Sequence, residues 1–152
     1  MSYSTVIAAI DTIIKTATGV NTPTIYKYVK LATNWADFIS AFKDTTNSVI
    51  HGYMITRTRI EEVPEASRVN HVLTTWAIYG FYALKSDGTS ESTFQGVIDN
   101  IRTKFRDDPR LGSTVLTSTP IQADTIEQRM FGDVLCHYVE MRLVTEEEEQ
   151  FT

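Results

Sequence analysis

Cysteine is almost missing from this 152-residue chain, and that scarcity is informative. The single Cys136 excludes an internal disulfide and any cysteine-rich metal site, a usage that fits a reducing compartment. Seven glycines are scattered without the spacing of a phosphate-cradling loop, and no serine sits in a nucleophile-elbow pattern. No apolar run approaches the roughly 18 residues of a membrane span. The opening Met-Ser-Tyr-Ser-Thr has neither the basic nor the apolar region of a signal peptide, so the expected place of synthesis is the cytoplasm. A basic excess is missing as well. Net charge is −5, and the Glu146–Glu149 run carries most of the imbalance, leaving the body nearly neutral. A reader of nucleic acid normally presents a basic face, whereas a neutral body leaves room for protein–protein contact.

What is present is an ordinary globular composition, 42% hydrophobic and 11% aromatic, at a length that suits one domain. Ser4 is placed to cap a first helix whose apolar stripe is Val6, Ile7, Ile10, Ile13, Ile14 and Ala17, with Gly19 at its stop. Val20 to Leu31 reads as a short strand or an extended connector. Asn34 can cap a second helix with a buried face of Trp35, Phe38, Ile39 and Phe42. Ser48 to Val63 reads as a strand broken by Pro64, with Glu65 to Arg68 as the loop; Val69 to Lys85 reads as a second strand, apolar on both faces and therefore central. Phe94, Val97, Ile98, Ile101 and Phe105 mark the stripe of a further helix from about Ser90 to Arg106, which Asp108-Pro109 ends. Ile121 to Met130 is a polar candidate edge strand, Gly132 a turn, and Val134 to Thr145 the last strand. The expected fold is α+β: a mainly antiparallel sheet with helices on one face, in a single domain over residues 1–145. Residues 146–152 read as an acidic, flexible tail, because consecutive like charges repel; an acidic surface along which DNA slides is the other reading of that run.

The chemical candidates are few. Cys136 and His137 invite a thiolate–imidazole reading, but neighbours on a strand point to opposite faces and cannot reach the roughly 3 Å that a dyad needs. His51, His71 and His137 sit on separate strands and could in principle converge on a metal, yet none has close ligand spacing. No catalytic residue, metal ligand or cofactor is expected. Arg57, Arg59 and Arg68 cluster at one end of the first long hairpin, where arginine either guards a strand end or serves as a docking arm; Arg129 and Phe131 join them as candidate interface residues.

Several segments in sequence order resemble one family. They are Asn34-Trp35-Ala36-Asp37-Phe38-Ile39 with Phe42-Lys43, Gly52-Tyr53-Met54-Ile55-Thr56-Arg57, Tyr79-Gly80-Phe81-Tyr82, Phe94-Gln95 leading to Phe105-Arg106-Asp107-Asp108-Pro109-Arg110-Leu111-Gly112, and the run Arg129 to Tyr138. Together they resemble the tail terminator (tail-completion) proteins of long-tailed bacteriophages. None is a catalytic signature, and the segment up to Leu31 carries no part of the likeness. The resemblance implies a virion protein at the head–tail junction, assembled in the host cytoplasm. Its subunits would form a ring, usually hexameric, that caps the tail tube, stops its polymerisation and docks the head connector or stopper, while DNA passes through without sequence-specific binding. No membrane partner is implied. Two other readings stay open: another neck component, such as a head–tail connector or minor tail protein, and a small thiol enzyme or hydrolase using Cys136.

Overall fold

The computed structural model describes residues 3–18, 24–28, 43–44, 49–84, 88–131 and 134–150. In chain order the elements are α1 (Tyr3–Thr18), β1 (Thr24–Tyr26), β2 (Lys43–Asp44), β3 (Val49–Ala66), β4 (Val69–Ala83), α2 (Thr89–Asp107), β5 (Thr117–Ser118), β6 (Gln122–Phe131) and β7 (Val134–Gln150). The expected second helix at Asn34 to Phe42 lies outside the described residues.

The strands form a 7-stranded sheet in the order β1-β3-β4-β7-β5, with β2 also on β3 and β6 also on β7. All pairs are antiparallel except β1, which runs parallel to β3 at Thr24↔Gly52. The fold is thus α+β with a mainly antiparallel sheet, as the pattern of the sequence predicts. β4 is central and paired along its whole length by β3 on one side and β7 on the other.

Both helices pack on the same face. Val6, Ile7, Ile10, Ile14 and Ala17 of α1 and Phe94, Val97, Ile98, Ile101 and Phe105 of α2 form one core with Tyr53, Ile55, Trp76, Ile78, Tyr82, Val139, Met141 and Leu143. These are the helical stripes the sequence predicts, joined in α2 by Ser90. Period two in the strands does the matching work: alternate residues of β4 from Val72 to Tyr82 are buried toward the helices. Gly80 lies in that row because a Cβ there would meet the Tyr53 ring and Val139 Cγ1 at 2.8 Å. On the opposite face Phe81, Cys136 and Tyr138 form a second buried cluster, backed by Tyr26, Ile50, Met54 and Tyr79.

Two expectations need correction. The Glu146–Glu149 run is not a tail: β7 continues through it to Gln150, pairing Leu73↔Glu146, Val72↔Glu147, His71↔Glu148 and Asn70↔Glu149. Repulsion along the run is relieved because alternate carboxylates face opposite sides of the sheet, and the neighbouring strand supplies both the ladder and His71. Pro64 does not end its strand either. β3 runs on to Ala66, and Pro64 sits at an irregularity between Pro64 and Ala66, on the side of β3 that β4 alone pairs among the described residues. A strand tolerates a residue without an N–H at such an edge or bulge. The turn itself is Ser67–Arg68, with Arg68 at φ 63°.

Candidate functional site

Cys136 and His137 diverge as strand geometry requires. Cys136 is fully buried among Phe81 and Tyr138, and burial pushes its thiol up to about 12, so the nucleophilic thiolate is suppressed. His137 faces the helices instead, stacked on Phe94 at 6.0 Å and hydrogen-bonded through Nε2 to Ser90 Oγ at 2.9 Å. Among the described residues, this serine–histidine contact is an arrangement with a catalytic look that sequence reasoning missed. No local motif announces it, because it depends on the register that brings the start of α2 over β7. Ser90 is 3% and His137 6% exposed, so a substrate cannot reach the hydroxyl without opening the core. Burial lowers the His137 pKa, opposed by the nearby Glu91. The pair reads as a satisfied polar contact inside the core.

The histidines do not converge. His51 and His137 share a cross-strand row on either side of Tyr82, following His51↔Tyr82↔His137. His51 spends its Nε2 on the Tyr53 hydroxyl at 2.7 Å. His71 lies at the far end of the sheet, its Nε2 2.5 Å from Glu65 Oε2 and 3.8 Å from Glu148 Oε2, and its Nδ1 2.7 Å from Glu146 Oε1. Among the described residues Glu65, His71 and Glu148 offer ligand atoms within 4.8 Å of one another, a set that could hold a metal ion. The contacts join β3, β4 and β7 at the hairpin tip.

The candidate interface arginines are spread out rather than clustered. Arg57 turns to the helical face and lies 4.9 Å over the Tyr3 ring, which itself stacks on Trp76 at 5.7 Å. Arg59 turns to the opposite face and meets Glu61 at 3.4 Å. Arg68 sits in the hairpin turn. Arg129, on β6, lies 4.1 Å over the Tyr138 ring and hydrogen-bonds Glu127 at 2.7 Å. Tyr138 in turn donates to Glu140 at 2.6 Å; burial first, then Glu140, pushes its phenol up. Phe131 ends β6, with its side chain outside the described residues.

A groove of about 510 Å³ is lined by Arg59, Thr75, Ile121, Arg142 and Val144 among others. Arg142 is held 3.6 Å from Asp124. Several exposed large apolar side chains lie on strands, Ile60 and Val63 on β3, Ile126 and Met130 on β6 and Leu135 on β7, while Tyr3, Tyr28 and Leu116 are exposed elsewhere. No helix among the described residues is long and apolar enough to cross a membrane.

The described residues form an α+β domain built on a mainly antiparallel sheet. No protein-family model and no curated protein matches the sequence.

Proposed function

We propose that this chain is a structural subunit of a phage tail. It forms a ring that caps the tail tube, halts its polymerisation and presents a docking surface to the head connector, with no catalytic role of its own. The reading begins from the ordered resemblance in the sequence. The observation that supports it best is the distribution of exposed apolar residues: Ile60, Val63, Ile126 and Met130 line the outer strands, while Cys136 and Ser90 are sealed in the interior. Edges of this kind suit repeated contacts between copies, which build rings when the rotation closes. A buried thiol and a buried hydroxyl suit packing.

A phage lacking the gene tests the proposal. The expected phenotype is tail tube of uncontrolled length together with unattached heads; tails of normal length would overturn it. Labelled antibody on virions should mark the head–tail junction. If the protein first associates with filled heads rather than with finished tails, it is a connector instead.

A further inference from the structure

We propose that copies of this chain join head to tail through their sheets, the outer edge of β3 in one copy pairing antiparallel with β6 of the next. Among the described residues β1 and β2 pair β3 only between Val49 and Met54, so from Ile55 to Ala66 that edge has no strand on it; β6 pairs only with β7. A strand edge presents a row of backbone donors and acceptors that another strand can satisfy.

Strand direction favours a second copy. β3, β4, β7 and β6 alternate in direction, so the two outer edges run opposite to each other. A rotation that carries one subunit onto the next then brings them together antiparallel and keeps all helices on one side.

Side chains favour one register. Ile60 pairs with Thr74 and Ile126 with Val139, which places both isoleucines on the helical face; Arg59 pairs with Thr75 and Glu127 with Tyr138, which places both charges on the other. Setting Ile60 against Ile126 in an antiparallel ladder puts Arg59 directly opposite Glu127. By count the same ladder sets Glu62 against Asp124, but there β6 is irregular between Ala123 and Thr125 and Asp124 lies 3.6 Å from Arg142. In a parallel ladder with the same anchor, Glu61 would face Glu127 on a regular stretch, and like charges directly opposite are destabilising. Both isoleucines are half exposed in the single chain, at 51% and 48%. The edge charges and Pro64 that discourage indiscriminate pairing thereby select a register. Two-fold pairing of β3 with itself also offers Arg59 to Glu61, but it leaves Ile126, Met130 and Leu135 uncovered. The head-to-tail contact covers both edges at once. In its biological setting the contact rests on the ring reading above; as a contact between copies it is tested on the isolated protein.

The test mixes purified Arg59→Cys and Glu127→Cys variants under mild oxidation, in a chain whose own Cys136 is fully buried. Within one chain these positions are separated by β4 and β7 and offset by roughly 20 Å along the strands, too far for an internal disulfide. The expected result is a disulfide dimer from the mixture and not from either variant alone. Reversing one charge, Arg59→Glu or Glu127→Arg, should raise the self-association constant for dissociation about tenfold, and combining both reversals in one chain should restore it. Same-site dimers, no cross-link, or a chain that stays monomeric at every concentration would overturn the pairing. Rings at the head–tail junction without the 59–127 cross-link would sink the pairing and leave the proposed function standing; cross-linked chains with normal tails in the gene deletion would do the reverse.

Discussion

The two halves of β3 have opposite fates, and Arg57, Arg59, Glu61, Glu62 and Glu65 all fall in the outer one. His51, Tyr53 and Ile55 are completely buried, whereas from Arg57 onward the strand is exposed, Ile60 at 51% and Val63 at 41%. For isoleucine, which occurs in both halves, hydropathy of the residue does not decide the outcome. Cover does: the inner half lies beneath α1 and α2 and is flanked by β1, while the outer half has β4 on one side only among the described residues. Burial in a sheet is therefore a property of neighbours, and apolar residues that keep their exposure on an edge become evidence about association.

The sharpest way to test the contrast is to remove the same side chain from each half. Ile55→Ala should cost about 2–5 kcal/mol in denaturant unfolding of the monomer, and Ile60→Ala within about 0.5 kcal/mol. Equal losses would break the comparison. Gly80→Ala probes the buried half from the neighbouring strand. Its methyl group would strike Tyr53 and Val139 at 2.8 Å, so a loss of about 1–3 kcal/mol is expected; unchanged stability would mean that the row is looser than its geometry.

Ser90→Ala should cost about 1–3 kcal/mol, because it leaves a buried nitrogen of His137 without its partner. The same histidine gives a pH signature. Its folded-state pKa is lowered, chiefly by burial, so the unfolded chain takes up the proton more readily. Stability from this group is complete above the unfolded value of about 6.5 and falls as pH drops below it, levelling once the folded pKa is reached. Denaturation midpoints measured from pH 7.5 to 5.5 should therefore fall, and His137→Gln should flatten the slope; an unchanged slope would count against it. The smallest effect belongs to the exposed hairpin. Arg68 holds φ at 63°, which glycine adopts without a Cβ penalty, so Arg68→Gly should stabilise by about 1 kcal/mol or less.

Much of this was legible in the residues. The stripes of α1 and α2 were visible at helical spacing, and the central position of β4 followed from its two apolar faces. The edge character of β6 followed from its polarity, and the separation of Cys136 from His137 from period two. What escaped depended on partners distant in sequence. Glu146–Glu149 look like a tail until Val69–Leu73 is laid beside them. Ser90 looks like no more than the start of a helix until register places it against His137. Arg129 and Tyr138 look unrelated until β6 folds back on β7. The candidate site followed the same rule: the interface arginines were nameable one at a time, but which face each takes was set by a β-bulge between Arg57 and Arg59.

The long ladder between β4 and β7 also has a bearing on time. Val69 pairs with Gln150, so the central strand waits for a segment made much later in synthesis. Until then the β3–β4 hairpin stands with Trp76 and Ile78 lacking the Leu143 and Met141 that flank them in the finished sheet. Sheets closed by such distant pairings fold on the millisecond-to-second scale rather than in microseconds. A nascent chain thus holds an unfinished, sticky hairpin during the interval before β7 arrives, the stage at which a chaperone would have the most to shield.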